Sequence, residues 1–224
     1  MSDAIIVVGW PRSGTTWLDR LIIHYLEGPE VEPWTEAERG LHPRSFRVHN
    51  MTNEEVACHI DNGDKIIFTI RDPRDTAVSE YFFLHHKAYS VMDVSLLRFL
   101  ASSFMVERGG WKAYARRWLD LADTHYDIVS TCHEALWADR RGELERILHR
   151  LDIEPDKASL DHAARVSWQF GSKRPRYVKE ENWKKAEPSV LAGQPGEWRK
   201  HFGLKEKFLM EIYCGGLIRK LGYA

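Results

Sequence analysis

Cysteine is scarce, long apolar runs are missing and net charge is close to nil, and each absence excludes something. The three cysteines, Cys58, Cys132 and Cys214, lie far apart among 224 residues. They have neither metal-ligand spacing nor the pairing pattern of a disulfide framework, which fits a reducing compartment. No stretch approaches the ~20 consecutive apolar residues of a membrane-spanning helix. With 32 Lys and Arg against 33 Asp and Glu, the formal charge is −1. No global field therefore recruits nucleic acid or an anionic membrane, and any anion site must be local. Repeats, linkers and low-complexity tracts are missing too. Met1-Ser2-Asp3 lacks the basic start of a secretory signal and leads directly into an apolar segment. The expectation is a cytoplasmic protein with no membrane span, folded as a single domain over residues 1–224.

What is there begins at the fourth residue. Ala4-Ile5-Ile6-Val7-Val8 is a short, mostly β-branched run, the signature of a strand buried on both faces. It breaks at Gly9-Trp10-Pro11-Arg12-Ser13-Gly14, and an amphipathic segment follows from Thr15 to Leu26. Strand, tight loop and helix bring backbone N–H groups and a helix N-terminus toward one anion. The spacing Gly9-x-x-x-x-Gly14-Thr15-Thr16 is that of a phosphate-binding P-loop, with one more absence. An ATP-binding loop carries Lys before its Ser or Thr; here Thr15 precedes Thr16, and the basic residue is Arg12. Without that lysine and a clear Mg²⁺-binding acid, nucleoside-triphosphate chemistry loses two charge stabilisers, so another phosphate-bearing ligand is expected.

Further along, Gly28 to Gly40 reads as a loop and Pro43 to Asn50 as a short strand candidate. Thr52 or Asn53 starts a helix. Lys65-Ile66-Ile67-Phe68-Thr69-Ile70 is the second strong strand, followed by Arg71-Asp72 and a helix from Pro73 to about His86, with Pro suited to the first turn. Helical patterns cover Asp93–Val106 and Gly110–Thr124, the latter with Trp111, Tyr114, Trp118 and Leu121 on one face. Asp127 to Thr131 is a third strand. Helices follow over Glu143–Leu151, Lys157–Val166 and about Lys205–Leu221. Asp139-Arg140-Arg141 and Lys184-Lys185 read as solvated surface. Strands alternating with helices imply an α/β fold of three layers, with a central parallel sheet flanked by helices as in P-loop NTPases. Ligands in such sheets bind beyond the carboxyl ends of the strands, where Gly9–Thr16, Arg47–His49 and Arg71 lie.

Three ordered blocks resemble the sulfotransferases that use 3′-phosphoadenosine 5′-phosphosulfate (PAPS), whose desulfated product is PAP. Trp10-Pro11-Arg12-Ser13-Gly14-Thr15-Thr16-Trp17 resembles the family's 5′-phosphosulfate loop. Ile70-Arg71-Asp72-Pro73-Arg74-Asp75-Thr76-Ala77-Val78-Ser79 resembles its 3′-phosphate block. Gly193-Gln194-Pro195-Gly196-Glu197-Trp198-Arg199-Lys200-His201-Phe202 resembles its C-terminal Gly-x-x-Gly-x-Trp-Lys segment. Weaker matches at Pro43–His49 and Gly109-Gly110-Trp111 extend the likeness along most of the chain, nearest to the cytosolic, small-molecule branch.

The resemblance implies roles for residues. Arg12, Ser13, Gly14, Thr15 and Thr16 would hold the phosphosulfate, Arg71 and Ser79 the 3′-phosphate, Trp17 and Trp168 the adenine, with Gly193 in the C-terminal contact. His49, in Arg47-Val48-His49, would be the general base, with Arg47 and Arg12 stabilising charge during in-line transfer. No metal is required in the family. The chain departs from the family's pattern in places: Arg12 stands where the family usually has Lys, Arg47-Val48-His49 where members usually show Lys-Thr-His, the Tyr-Glu-Asp-Leu block reads His133-Glu134-Ala135-Leu136, and the basic pair before the C-terminal Gly reads Leu191-Ala192. The expected partner is a small-molecule acceptor offering a hydroxyl, or less readily an amine. Aromatic residues at Trp34 and Tyr81–Phe83 favour a partly apolar one. The family's C-terminal dimerisation motif is not visible, so the oligomeric state is left open. The rival readings are a P-loop kinase acting on a small metabolite and a non-catalytic PAP- or PAPS-binding protein.

Overall fold

The structure, a computed structural model, describes residues 4–28, 44–86, 94–106, 109–167 and 193–223. Its contacts divide the chain into two units, Met1–Ile70 with Arg117–Phe170, and Arg71–Arg116 with Gly171–Ala224.

The first unit is built on a four-stranded parallel sheet of β1 (Ile5–Val8), β2 (Ser45–Val48), β3 (Lys65–Ile70) and β4 (Ile128–Cys132), in the order β2-β1-β3-β4. Val8 pairs with Val48 on one side and Phe68 on the other, so β1 and β2 end level, while β3 and β4 run on together to the Ile70–Cys132 pair. Every residue of β1 is at most 2% exposed, as a central parallel strand requires. Burying a Val or Ile side chain contributes about 1.5–3 kcal/mol, so this short strand is a main anchor of the loop that follows it. Helix α1 (Thr15–Glu27) packs Leu18, Leu21 and Ile22 into a core shared with Val129, Leu148 and Leu160. Helices α2 (Asn53–Asp61), α6 (His133–Ala138), α7 (Arg140–Arg150) and α8 (Lys157–Ser167) complete the unit. The parallel α/β architecture read from the sequence is present.

In the second unit, α3 (Pro73–His86) and α4 (Leu96–Phe99) precede α5 (Gly110–Thr124), whose first half belongs here and whose second half belongs to the first unit. A 3-10 turn (Glu197–Lys200) and the terminal helix α9 (Leu204–Lys220) follow. Phe99, Phe104 and Trp111, each 1% exposed, form an aromatic core, with Phe104 and Trp111 stacked 6.5 Å apart.

Two local expectations change and one helix was not foreseen. The even helix over Asp93–Val106 is instead α4 followed by a π-helical stretch, Leu100–Phe104. The Ser102 hydroxyl donates to the Arg98 carbonyl at 2.8 Å, competing with the backbone ladder, and the wider turn closes with Met105 N–H on the Leu100 carbonyl. Helix α6 starts at the residue after β4 with no capping side chain, so nothing in the sequence marks it. Asp139-Arg140-Arg141 is a staple rather than plain solvated surface. Asp139 caps α7 through the Gly142 amide (2.9 Å), Arg140 donates to the Ala164 carbonyl (3.2 Å), and Arg141 binds Asp161 (2.6 Å) and Glu145 (2.9 Å). Two of those partners lie on α8, so the run ties α7 to it.

Candidate active site

The loop after β1 is shaped by close packing around Gly9. A Cβ at Gly9 would stand 2.6 Å from Ser13 Oγ, 2.7 Å from Thr15 Cγ2 and 2.7 Å from the Thr69 carbonyl oxygen. Only glycine leaves room for the loop to fold back on itself. Ser13 closes it, with both its amide (3.0 Å) and its hydroxyl (2.7 Å) donating to the Trp10 carbonyl. Thr69, on β3, donates to the Ser13 carbonyl at 3.3 Å. Arg12 (φ 71°) and Gly14 (φ 94°) are both left-handed. A non-glycine residue there is strained, and such strain concentrates at functional loops.

Helix α1 opens directly from this loop. Gly14 is its N-cap, no side chain caps its first-turn amides among the described residues, and no acid lies in that turn. Helix α2 has a full capping box from Thr52 and Glu55. The amides and positive dipole end at Thr15 and Thr16 are thus arranged for an anion.

At the end of β2, the ring of His49 stands with Nδ1 3.1 Å from the Gly9 carbonyl oxygen. A carbonyl only accepts, so Nδ1 carries the hydrogen, and the neutral ring keeps its lone pair on Nε2. Two residues earlier, Arg47 Nη1 donates to Asp19 Oδ2 at 3.0 Å, while Ser45 Oγ donates to Asp19 Oδ1 at 3.1 Å. Asp19 is fully buried on α1. Burial pushes its carboxyl above the usual range, against the pull of Arg47 and the Ser45 bond. Sequence reading passed over Asp19, although an acid between Leu18 and Leu21 on the apolar face of a helix signals an internal partner.

Trp17 is partly buried against the core and meets His133 edge-on (centroids 5.3 Å) and Trp137 at 6.2 Å. His133 stands beside the loop: a Cβ on Gly14 would lie 2.7 Å from its Nδ1. The histidine replacing the family's tyrosine therefore packs on the loop and on the tryptophan that follows it. Trp168 and Trp34 lie outside the described residues.

In the second unit, Arg71 directly follows β3 in the chain and is 4% exposed; Ser79, on α3, is 3% exposed. Asp75 (1% exposed) accepts from the amides of Gly196 (2.6 Å) and Trp198 (2.8 Å). Burial pushes its carboxyl up, opposed first by the charge of Arg71. Asp72 grips Arg74 through Nε (2.9 Å) and Nη2 (2.7 Å), and the guanidinium lies 4.1 Å over the Trp198 ring. Gly193 and Gly196 are both left-handed. Tyr81 donates to the Val94 carbonyl at 3.1 Å and leans on Phe99, so it belongs to the fabric of this unit. Among the described residues no three His, Cys, Asp or Glu side chains group as metal ligands, and no helix is long and apolar enough to cross a membrane.

These features sit in a chain with recognisable relatives. Residues 2–215 match the family model for the sulfotransferase domain. Mouse sulfotransferase 2A6 is 24% identical over 229 aligned positions, covering 89% of this chain and 79% of the mouse protein. Human sulfotransferase 1E1 is 25% identical over 240 positions, covering 92% and 81%. Among solved structures, mouse sulfotransferase SULT7A1 complexed with PAP superposes with a TM-score of 0.71 at 20% identity, covering 98% of this chain and 89% of that one. A retinol dehydratase in complex with androsterone and PAP gives 0.67 at 16% identity, covering 97% and 81%. A match over nearly the whole length, in a chain whose first strand runs through a tight glycine loop into a helix, places the protein in the sulfotransferase-domain family: it is a sulfotransferase.

Proposed function

We propose that the protein moves the sulfuryl group of PAPS to the hydroxyl of a small-molecule acceptor in the cytoplasm, with His49 as general base. PAPS supplies an activated sulfuryl group on a phosphate oxygen that serves as leaving group. In this reading Arg12, the amides of Gly14, Thr15 and Thr16 and the two threonine hydroxyls hold its 5′ end. Arg71 and Ser79 hold its 3′-phosphate, and Trp17 and Trp168 lie along the adenine. The loop's left-handed residues and the uncapped start of α1 fit a multiply charged anion. The relatives that support this are sulfotransferases, one of them solved with PAP.

The observation that carries the mechanism is the bond from His49 Nδ1 to the Gly9 carbonyl. It leaves Nε2 as the only basic ring atom and ties the base to the first residue of the anion loop. Nε2 takes the acceptor's hydroxyl proton as the new oxygen–sulfur bond forms and the sulfur–phosphate-oxygen bond breaks. Arg47, two residues away along an extended segment, faces the same side and stabilises the sulfuryl oxygens. A sulfuryl group carries less negative charge than a terminal phosphoryl group, so guanidinium and amide donors suffice and no metal is required.

Calorimetry with PAP, ATP, and ATP with Mg²⁺ tests the cofactor: tight binding is expected for PAP alone, and a preference for Mg-ATP would sink the assignment. The His49→Ala variant is expected to lose roughly 10²–10⁴-fold in transfer rate while binding PAP as the parent does. Loss of PAP binding in that variant would make His49 a structural residue.

A further inference from the structure

Two acids stand at the start of helix α3, Asp72 just before it and Asp75 in its first turn, and both act on one distant turn. A carboxylate at the third position of a helix usually serves the helix's own amides. Asp75 occupies that place, but its two oxygens bind Gly196 N–H and Trp198 N–H, 121 and 123 residues away in sequence. At 2.6 and 2.8 Å these are short, charge-assisted bonds. Asp72 acts on the same turn through Arg74. That guanidinium covers the Trp198 ring and also donates to the Tyr223 carbonyl. The turn needs such restraint, because Gly193 (φ 74°) and Gly196 (φ 83°) stand in conformations that only glycine adopts freely. Burying a carboxylate this deeply is unfavourable unless its bonds achieve something.

We propose that Asp75 is a positioning residue for cofactor recognition: it locks the Gly193–Trp198 turn to the first turn of α3, so that Arg71, Ser79 and the turn meet the 3′-phosphate as one preformed surface. The inference rests on the assignment of Arg71 and Ser79 to that phosphate. Two effects oppose each other when the carboxylate is removed. Loss of a negative charge acting on Arg71 favours an incoming phosphate, whereas loss of the two amide bonds releases the turn. The second effect wins, because the charge of Asp75 is partly offset by two amides and Arg71, while nothing else among the described contacts holds the Gly196 and Trp198 amides. Asparagine makes the change with least alteration of shape. It accepts from one amide and turns an NH₂ toward the other.

The test compares PAP with AMP, which lacks the 3′-phosphate, by calorimetry on the full chain. The parent protein is expected to prefer PAP. Asp75→Asn is expected to lose roughly tenfold to a hundredfold in PAP affinity with AMP affinity unchanged. A parent that binds PAP and AMP alike would sink the assignment of Arg71 and Ser79, and this proposal with it. A selective parent whose variant loses both ligands equally, or gains PAP affinity, would overturn the role of Asp75 alone. Should Asp75→Asn fail to fold, Arg74→Met strips the cation from the same turn and must weaken PAP but not AMP; equal loss would again refute the proposal.

Discussion

Replacing Gly9 with alanine is the sharpest probe of the loop. The added methyl would stand 2.6–2.7 Å from three separate atoms: a hydroxyl, a methyl and a backbone carbonyl. The Ser13 hydroxyl has little freedom, since it closes the loop onto Trp10. The Thr69 carbonyl belongs to β3, whose residues pair in register with β4 at Thr131. Nothing nearby yields cheaply, so the loop must move away from β3. Overpacking of this kind costs about 1–3 kcal/mol. For a chain of this length that is a fall in Tm of roughly 2–12 °C. Function is expected to suffer more than stability, because a shift of about 1 Å in a positioning loop can lower a rate a hundredfold. Thermal unfolding with and without PAP, followed by transfer assays at saturating acceptor, measures both. A Gly9→Ala protein with parental Tm and a parental PAP-induced stabilisation would refute the packing argument and the loop assignment together.

The opposite outcome is expected for Gly216→Ala on the exposed side of α9, where an added Cβ meets nothing within 4 Å. It should gain about 0.5–1 kcal/mol from lower backbone entropy in the unfolded chain, read as a small rise in Tm; a fall would mean that the face is covered. Acid should destabilise the first unit through His24. Burial, with His162 and Arg20 adding to it, pulls its pKa from 6.5 down to about 4. The folded ring resists a proton that the unfolded chain accepts, so stability is intact above pH 6.5 and declines as pH falls from there to about 4, by about 3 kcal/mol in all. Denaturant titrations across that range should show the slope in the parent and a reduced slope in His24→Phe, and equal slopes would remove His24 as the cause.

β1 and β3 were legible as short β-branched apolar runs, α5 from its helical apolar period, and the loop from its glycine spacing between a strand and a helix. Pro73 marked the start of α3, and the structure begins the helix there. What escaped was everything decided by long-range pairing. Asp75 stood inside a recognised block, but the amides it binds lie 121 and 123 residues on, and no local rule connects them. The Asp139–Arg141 run looked solvated because its partners on α8 are some twenty residues away, and Arg141–Asp161 is an exposed contact even when formed. The π-helical stretch after α4 depended on one serine choosing a backbone carbonyl, a choice that helical periodicity does not register. Trp17 was readable as an aromatic beside the loop, but its ring partners His133 and Trp137 come from the far end of the sheet.

Arginine at position 47, where the family usually carries lysine, makes physical sense only together with Asp19. A fully buried carboxylate on the apolar face of α1 has to be matched by donors. Ser45 supplies one and Arg47 the other. An ammonium group is a single strongly hydrated point, and drawing it inward to Asp19 would withdraw it from any ligand at the end of β2. A guanidinium has five N–H donors on a rigid plane, so one nitrogen can hold Asp19 while the rest of the group stays outward. The Arg47 side chain keeps 35% of its exposure despite the ion pair. The pair thereby fixes the direction of the arginine relative to His49, two residues on, and joins β2 to the helix that begins at the anion loop. Asp19 and Arg47 are best understood as one exchange, in which a buried acid on α1 makes an outward-facing cation on β2 directional.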